Sequence, residues 1–279
     1  MINWFPGHMN TAKREIAKAM PKTDLVIEVL DARIPYSSEN PLVADMRGDI
    51  PCIQILNKKD LADPEVTEQW LAQIESKKGV LAMAHQQGEP RLNQRLLDRV
   101  AKLATARTGR PVSAMIIGIP NVGKSTLLNA LSGRAIAKTG NKPAVTKRTQ
   151  RVNVGKGLVL WDTPGFLWPK LSPADCGYRL AVSGAISDRI VDAEEIADYA
   201  LRFLMARYPE RIAETYGLEL ADGEDDPLEP LGQARNYLRK GGVVDRERTA
   251  TALLRDLRAG ALGRISLETP ADWSRALNR

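Results

Sequence analysis

Cysteine, histidine and phenylalanine are scarce: two, two and three in 279 residues. Cys52 and Cys176 provide neither a disulfide framework nor a thiolate metal cluster. With only His8 and His85 as imidazoles, no catalytic cluster of Cys, His or paired acids appears that would suggest RNA-modification chemistry. Apolar runs fall short of the ~20 residues a membrane helix needs, so no membrane span is expected. The start, Met1 to His8, lacks the charged-then-apolar layout of a secretory signal, which makes the cytoplasm the expected compartment. What remains is a globular composition, 43% hydrophobic and 27% charged, long enough for one large domain or two ordinary ones.

Charge is unevenly spread. Residues 1–171 carry 25 Lys/Arg against 15 Asp/Glu, residues 172–230 carry 5 against 14, and residues 231–279 carry 10 against 5. Within 91–156 there are 14 basic residues and one acid, Asp98. Ordinary surfaces mix both signs; a stretch of nearly one sign resembles a phosphate-backbone footprint.

The organising motif is Gly118-Ile119-Pro120-Asn121-Val122-Gly123-Lys124-Ser125-Thr126, a full match to the G-x-x-x-x-G-K-[ST] phosphate loop. A short apolar run, 112–117, precedes it, and an apolar helical segment, 127–131, follows. In that strand–turn–helix setting the backbone N–H groups of Val122, Gly123 and Thr126 and the helix dipole make a polyphosphate nest. Lys124 would reach the β- and γ-phosphates, and the Ser125 hydroxyl would ligate Mg²⁺. Asn121 is positioned in the loop to offer a carbonyl to a monovalent cation, or simply to form the turn.

Three more strand candidates, 25–30, 52–56 and 80–83, alternate with helical patterns at 65–77 and 92–107. A hairpin is expected over 152–161, turned at 155–157. Alternating strands and helices imply an α/β domain with a mostly parallel sheet. Residues 34–41 read as a loop. From about 172 the pattern turns helical, with Asp192-x-x-Glu195 as a capping box, a helix over 209–216, another over about 229–240, and one capped by Asp245. The expected organisation is a nucleotide domain over 1–171 and an all-α domain over 172–279.

Asn57-Lys58-Lys59-Asp60, at the end of the second strand, fits N-K-x-D. The Asp60 carboxylate can accept two hydrogen bonds, from guanine N1–H and its 2-amino group, which adenine does not present. Asn57 would touch the base edge or tie loops together, and the Lys58 stem would cover the base. Asp162-Thr163-Pro164-Gly165 fits D-x-x-G, placing Asp162 near Mg²⁺ and the Gly165 N–H at the γ-phosphate. Asp45-Met46-Arg47-Gly48 matches it too but follows no strand. Thr146 is the favoured switch threonine completing Mg²⁺ coordination, with Thr139 and Thr149 as alternatives. Phe166 occupies the place where small GTPases carry a water-orienting Gln. The N-K-x-D element precedes the phosphate loop, the reverse of the conventional order, and a circular permutation of the domain accounts for this.

Together with Asn3-Trp4-Phe5-Pro6-Gly7-His8-Met9, Asp31-Ala32-Arg33-Ile34-Pro35, Asp162–Trp168, Pro209-Glu210-Arg211 and Gly263-Arg264, these motifs resemble one family over nearly the whole chain. That family is the circularly permuted GTPases of the YlqF type, ribosome biogenesis GTPase A. The resemblance implies GTP hydrolysis coupled to late assembly of the large ribosomal subunit, K⁺ stimulation, and a helical C-terminal domain that contacts rRNA. It also implies that His8 serves hydrolysis alongside Lys124 and Thr146. The expected partners are the large-subunit precursor and its rRNA, and the protein is expected to be a monomer. Two departures stand out. Ala84-His85-Gln86 replaces the small polar residues that usually support guanine, leaving Ala84 and His85 to serve through backbone groups. Ala144 stands where the family usually has glycine.

Overall fold

The computed structural model describes residues 7–103, 110–134, 150–155, 157–220 and 223–277. Its centre is a six-stranded sheet made from β1 (Leu25–Asp31), β2 (Cys52–Asn57), β3 (Val80–His85), β4 (Val112–Gly118), β5 (Gln150–Gly155) and β6 (Leu158–Asp162). The order is β3-β2-β1-β4-β6-β5, and only the edge strand β5 is antiparallel. All seven residues of β1 and all six of β2 are buried, which is why these strands read as continuous apolar runs rather than alternating ones.

Helices cover the sheet: α1 (Gly7–Ala19), α2 (Pro35–Ser38), α3 (Pro41–Arg47), α4 (Pro64–Glu75), α5 (Leu92–Leu103) and α6 (Lys124–Ser132). In α1 Met9, Ala12 and Ile16 form the buried stripe. The expected loop at 34–41 contains α2 and leads into α3. Asn40 accepts from the Leu42 N–H at 3.1 Å and Pro41 follows at the first helical position, a helix start hidden among turn-forming residues.

The remainder is helical: α7 (Ala174–Ser183), α8 (Ala193–Arg207), α9 (Pro209–Tyr216), α10 (Leu228–Ala234), α11 (Arg246–Ala259) and α12 (Pro270–Leu277). Asp192 caps α8 and Asp245 caps α11 as their sequences indicate. The helix expected over 229–240 is shorter, because Asn236 adopts a left-handed φ of 53° after α10 ends. Residues 237–245 then double back, joined by Asp245 N–H to Tyr237 O at 2.7 Å and Arg239 N–H to Val243 O at 2.7 Å. None of the helices among the described residues is long and apolar enough to cross a membrane.

A C-terminal segment laces the helices to the sheet's upper loops. The Ile265 N–H donates to Leu61 O at 2.9 Å, and the Leu267 N–H to Arg33 O at 2.8 Å. Buried Glu268 accepts from Ser37 N–H at 3.0 Å and Ser37 Oγ at 2.5 Å, and Trp273 stacks on Tyr36 with centroids 3.7 Å apart.

A second buried carboxyl lies mid-strand in β1. Glu28 accepts from the Asn40 N–H at 3.1 Å and from Gln54 Nε2 at 2.9 Å, and burial, reinforced by nearby Glu39, pushes it up to about 7. The unfolded carboxyl ionises near about 4.3, so the fold is opposed by this group increasingly as pH rises from there to about 7. Thermal stability should therefore drop between about pH 4.3 and about pH 7, and Glu28→Gln should shrink that drop. An unchanged drop in the variant, read by thermal denaturation, would overturn this.

Candidate active site

Parallel strands deliver their functional residues at one edge, because every carboxyl end points the same way. Asp31 ends β1, Asn57 ends β2, His85 ends β3, Gly118 ends β4 and Asp162 ends β6. Above them lies a cavity of about 1070 Å³, lined by Asn57, Lys58, Asp60, His85, Asn121, Gly123 and Thr126 among others. That volume is at the top of the ~300–1,000 Å³ range of ligand pockets.

At the phosphate end, Gly123 has φ 95° and stands as the cap of α6, lining the cavity with Thr126. Asn57 Nδ2 donates to Val122 O at 2.8 Å, tying the N-K-x-D strand to the phosphate loop. A side chain on Gly123 would overlap that amide. Lys124 is buried and ion-paired with Asp162, and burial lowers the pKa of its ammonium against the pull of that partner. Gly165 packs closely on the phosphate loop: an added Cβ would stand 3.1 Å from Pro120 N. Thr163 Oγ1 donates to Ile116 O at 2.8 Å, fastening the D-x-x-G turn to β4. Lys124, Asp162 and Gly165 are thus brought together, with Ser125 and Thr126 in the same first turn of α6.

Phe166 is completely buried, so it packs in the core and does not face an attacking water. Next to it, the Leu167 N–H donates to Met9 Sδ at 3.4 Å, which holds α1 against the D-x-x-G turn. His8 precedes Met9 in α1, but its side chain lies outside the described residues. Thr146, its alternatives Thr139 and Thr149, and Ala144 also lie outside them.

At the base end, Lys58 takes a left-handed φ of 62°, a conformation that costs a non-glycine residue about 1 kcal/mol or more. Its ammonium meets Asp31 Oδ2 at 2.8 Å. Burial would raise the Asp31 carboxyl, but Arg33 and Lys58 outweigh it and hold the group well below the usual carboxylate range. Asp60 is exposed in the short turn beyond. After β3, Glu89 gathers Lys59 at 2.7 Å, Arg95 at 2.6 Å and the Gln86 N–H at 3.3 Å. Ala84 and His85 are buried there, Ala84 O accepting from Arg95 Nη2 at 2.9 Å and burial lowering the His85 pKa.

Residues that motif reading did not reach complete the cavity. Arg33, Arg258, Ser183, Gly184 and residues 186–190 line it, the last groups from the end of α7 and the turn after it. Asn121 Nδ2 donates to Gly184 O at 2.8 Å, so the phosphate loop touches the helical region directly. No spacing rule predicts a contact across this many residues. The resemblance through Asp31-Ala32-Arg33 was the one signal pointing at Arg33.

The chain is similar to known proteins in both sequence and fold. A family model described as "50S ribosome-binding GTPase" matches residues 113–214. Ribosome biogenesis GTPase A of Priestia megaterium is 41% identical, with 99% of both chains covered. Its namesake from Thermotoga maritima is 31% identical over 97% of this chain and 95% of that one. A GDP-bound structure of TM YlqF superposes with a TM-score of 0.68 at 28% identity, covering 93% of this chain and all of the other. GNP-bound YlqF from T. maritima gives 0.67 at 29% identity, covering 93% and 98%. With relatives matching end to end and the sheet order of a permuted P-loop domain, the chain belongs to the ribosome biogenesis GTPase A family, the YlqF type of GTPase.

Proposed function

We propose that this protein is a GTP-driven switch in assembly of the large ribosomal subunit, binding pre-ribosomal RNA when loaded with GTP and leaving after hydrolysis. The observation that carries the reading is the tie between Asn57 and Val122, which joins a guanine-reading strand to a phosphate loop in one cavity. Asp60 reads the guanine edge under the Lys58 stem, with Ala84 and His85 closing the base end. Val122, Gly123, Lys124, Ser125 and Thr126 cradle the phosphates, and Gly165 meets the γ-phosphate.

Hard oxygen donors at Ser125 and Asp162, beside the buried Lys124, suit Mg²⁺, and Thr146 would complete the set. An ion held there would supply positive charge against the phosphates. Asn121 spends its Nδ2 on Gly184, so Oδ1 is the atom it would offer to K⁺. With Phe166 turned inward, water orientation falls to a residue outside D-x-x-G. His8, next to the Met9 that contacts Leu167, is our assignment, acting when the assembled particle stimulates turnover.

We take residues 1–171 as the GTPase domain and 172–279 as the helical, RNA-contacting one. RNA contact is supported by a basic, aromatic face on α11 and the turn before it. The Arg248 guanidinium lies 4.4 Å from the Tyr237 ring centroid, and Arg235, Arg239, Lys240 and Arg255 are exposed beside it. Guanidinium and tyrosine planes together suit phosphates and unstacked bases.

Sedimentation of the protein with large-subunit precursors and a non-hydrolysable GTP analogue tests the reading. Binding should require the analogue and weaken with salt, and Arg248→Ala should lower the salt slope by about 1. Absence from the large-subunit fractions would overturn the ribosomal assignment.

A further inference from the structure

Helix α7 ends against the nucleotide cavity with carbonyls that the helix cannot satisfy itself. Three side chains reach four successive ones, the first of which, Ala181 O, also accepts from the Gly184 N–H at 3.0 Å. Arg258 donates through Nη2 to Ala181 O at 2.8 Å and through Nε to Val182 O at 2.9 Å. Arg33 Nη2 donates to Ser183 O at 3.4 Å, and Asn121 Nδ2 to Gly184 O. Cations at a helix carboxyl end also oppose the dipole's negative pole. Two of the three covering residues come from the nucleotide-binding loops.

Arg33 has the strongest ties to the base end. Its backbone N–H, Nε and Nη2 all donate to the Asp31 carboxylate, at 3.1, 2.9 and 2.8 Å. The same carboxylate holds Lys58 in its left-handed conformation. The Arg33 side chain is 2% exposed, yet Nη1 has no hydrogen-bond partner among the described residues, and the residue lines the cavity. Leaving a charged donor buried and unpaired is costly, so a site built this way favours a ligand that brings an acceptor.

We propose that Arg33 is a positioning residue of the guanine site that couples its occupancy to the helical region. Through Asp31 it sets Lys58 under the base, through Nη1 it takes an acceptor on the nucleoside, and through Nη2 it holds Ser183. A nucleotide engaging Arg33 and Asn121 thereby changes how tightly the end of α7 and the turn at 183–190 are held. Coupling of this kind is reciprocal: whatever displaces that turn must weaken nucleotide binding by the same factor.

The inference rests on a guanine nucleotide occupying this cavity, and the test separates the two. In the wild-type chain, saturating GDP should change amide hydrogen exchange over 181–190. Arg33→Ala and Arg33→Lys should each weaken GDP binding by about tenfold, measured by calorimetry. At saturating GDP both variants should lose the response at 181–190, since lysine keeps the charge but not the fork that spans Asp31 and Ser183. Wild-type affinity in both variants would overturn the coupling, as would a GDP response at 181–190 that is absent from the wild type or retained in a variant. Failure of the wild-type chain to bind GDP would instead remove the nucleotide assignment beneath it.

Discussion

Gly123→Ala should disable nucleotide binding while leaving the sheet intact. A methyl there overlaps Asn57 Nδ2, and alanine must also hold a φ of 95°. The backbone strain costs about 1–3 kcal/mol, and the broken buried hydrogen bond to Val122 about 1–3 kcal/mol more. Together they predict a Kd for GDP and GTP raised by roughly 30-fold to 10⁴-fold. Adding Asn57→Ala removes the overlap but not the strain or the missing tether. Part of the loss should return in the double variant, a non-additivity expected of residues in contact. Isothermal titration with GDP reads both effects; wild-type affinity in Gly123→Ala would show that the loop relaxes around the methyl and that the tether is dispensable.

Asp60→Asn should exchange guanine for xanthine. In the proposed pose the carboxylate would accept from guanine N1–H and the 2-amino group, and an asparagine offers one acceptor and one donor instead. The donor then faces the guanine amino group, whereas xanthine carries a carbonyl at that position. Losing hydrogen bonds to a charged group costs about 1.5–3 kcal/mol each, so GTP turnover at subsaturating substrate should fall by roughly 10²–10⁴. Xanthosine triphosphate should recover most of it. A variant still preferring GTP would mean that the base is read elsewhere, for instance by backbone groups near Ala84 and His85. The chemistry at the phosphate end is untouched, so maximal turnover with the xanthine nucleotide should stay near the wild-type value with GTP.

The strand–helix alternation and motif placement were legible because their causes are local. A glycine turn between a buried strand and a helix is dictated by sterics within a few residues, and Asn57 to Asp60 follow directly from β2. The reversal of N-K-x-D and the phosphate loop even announced the permuted topology, since parallel strands bring their carboxyl ends to one edge whatever their order in the chain. Legibility failed where local rules were ambiguous. Residues 34–41 carry turn formers that also start helices, and only packing of Ser37 on Glu268 and Asn40 on Glu28 selects helices there.

By itself the sequence determined that a guanine nucleotide is bound by a permuted P-loop sheet, because donor–acceptor matching and glycine sterics act over a few residues. Only the tertiary structure decided that Phe166 is buried in the core, that Met9 supports the D-x-x-G turn, and that Arg33 and Asn121 reach the end of α7. Those contacts join residues far apart in the chain, where orphaned carbonyls and buried charges find partners only after the whole chain has packed.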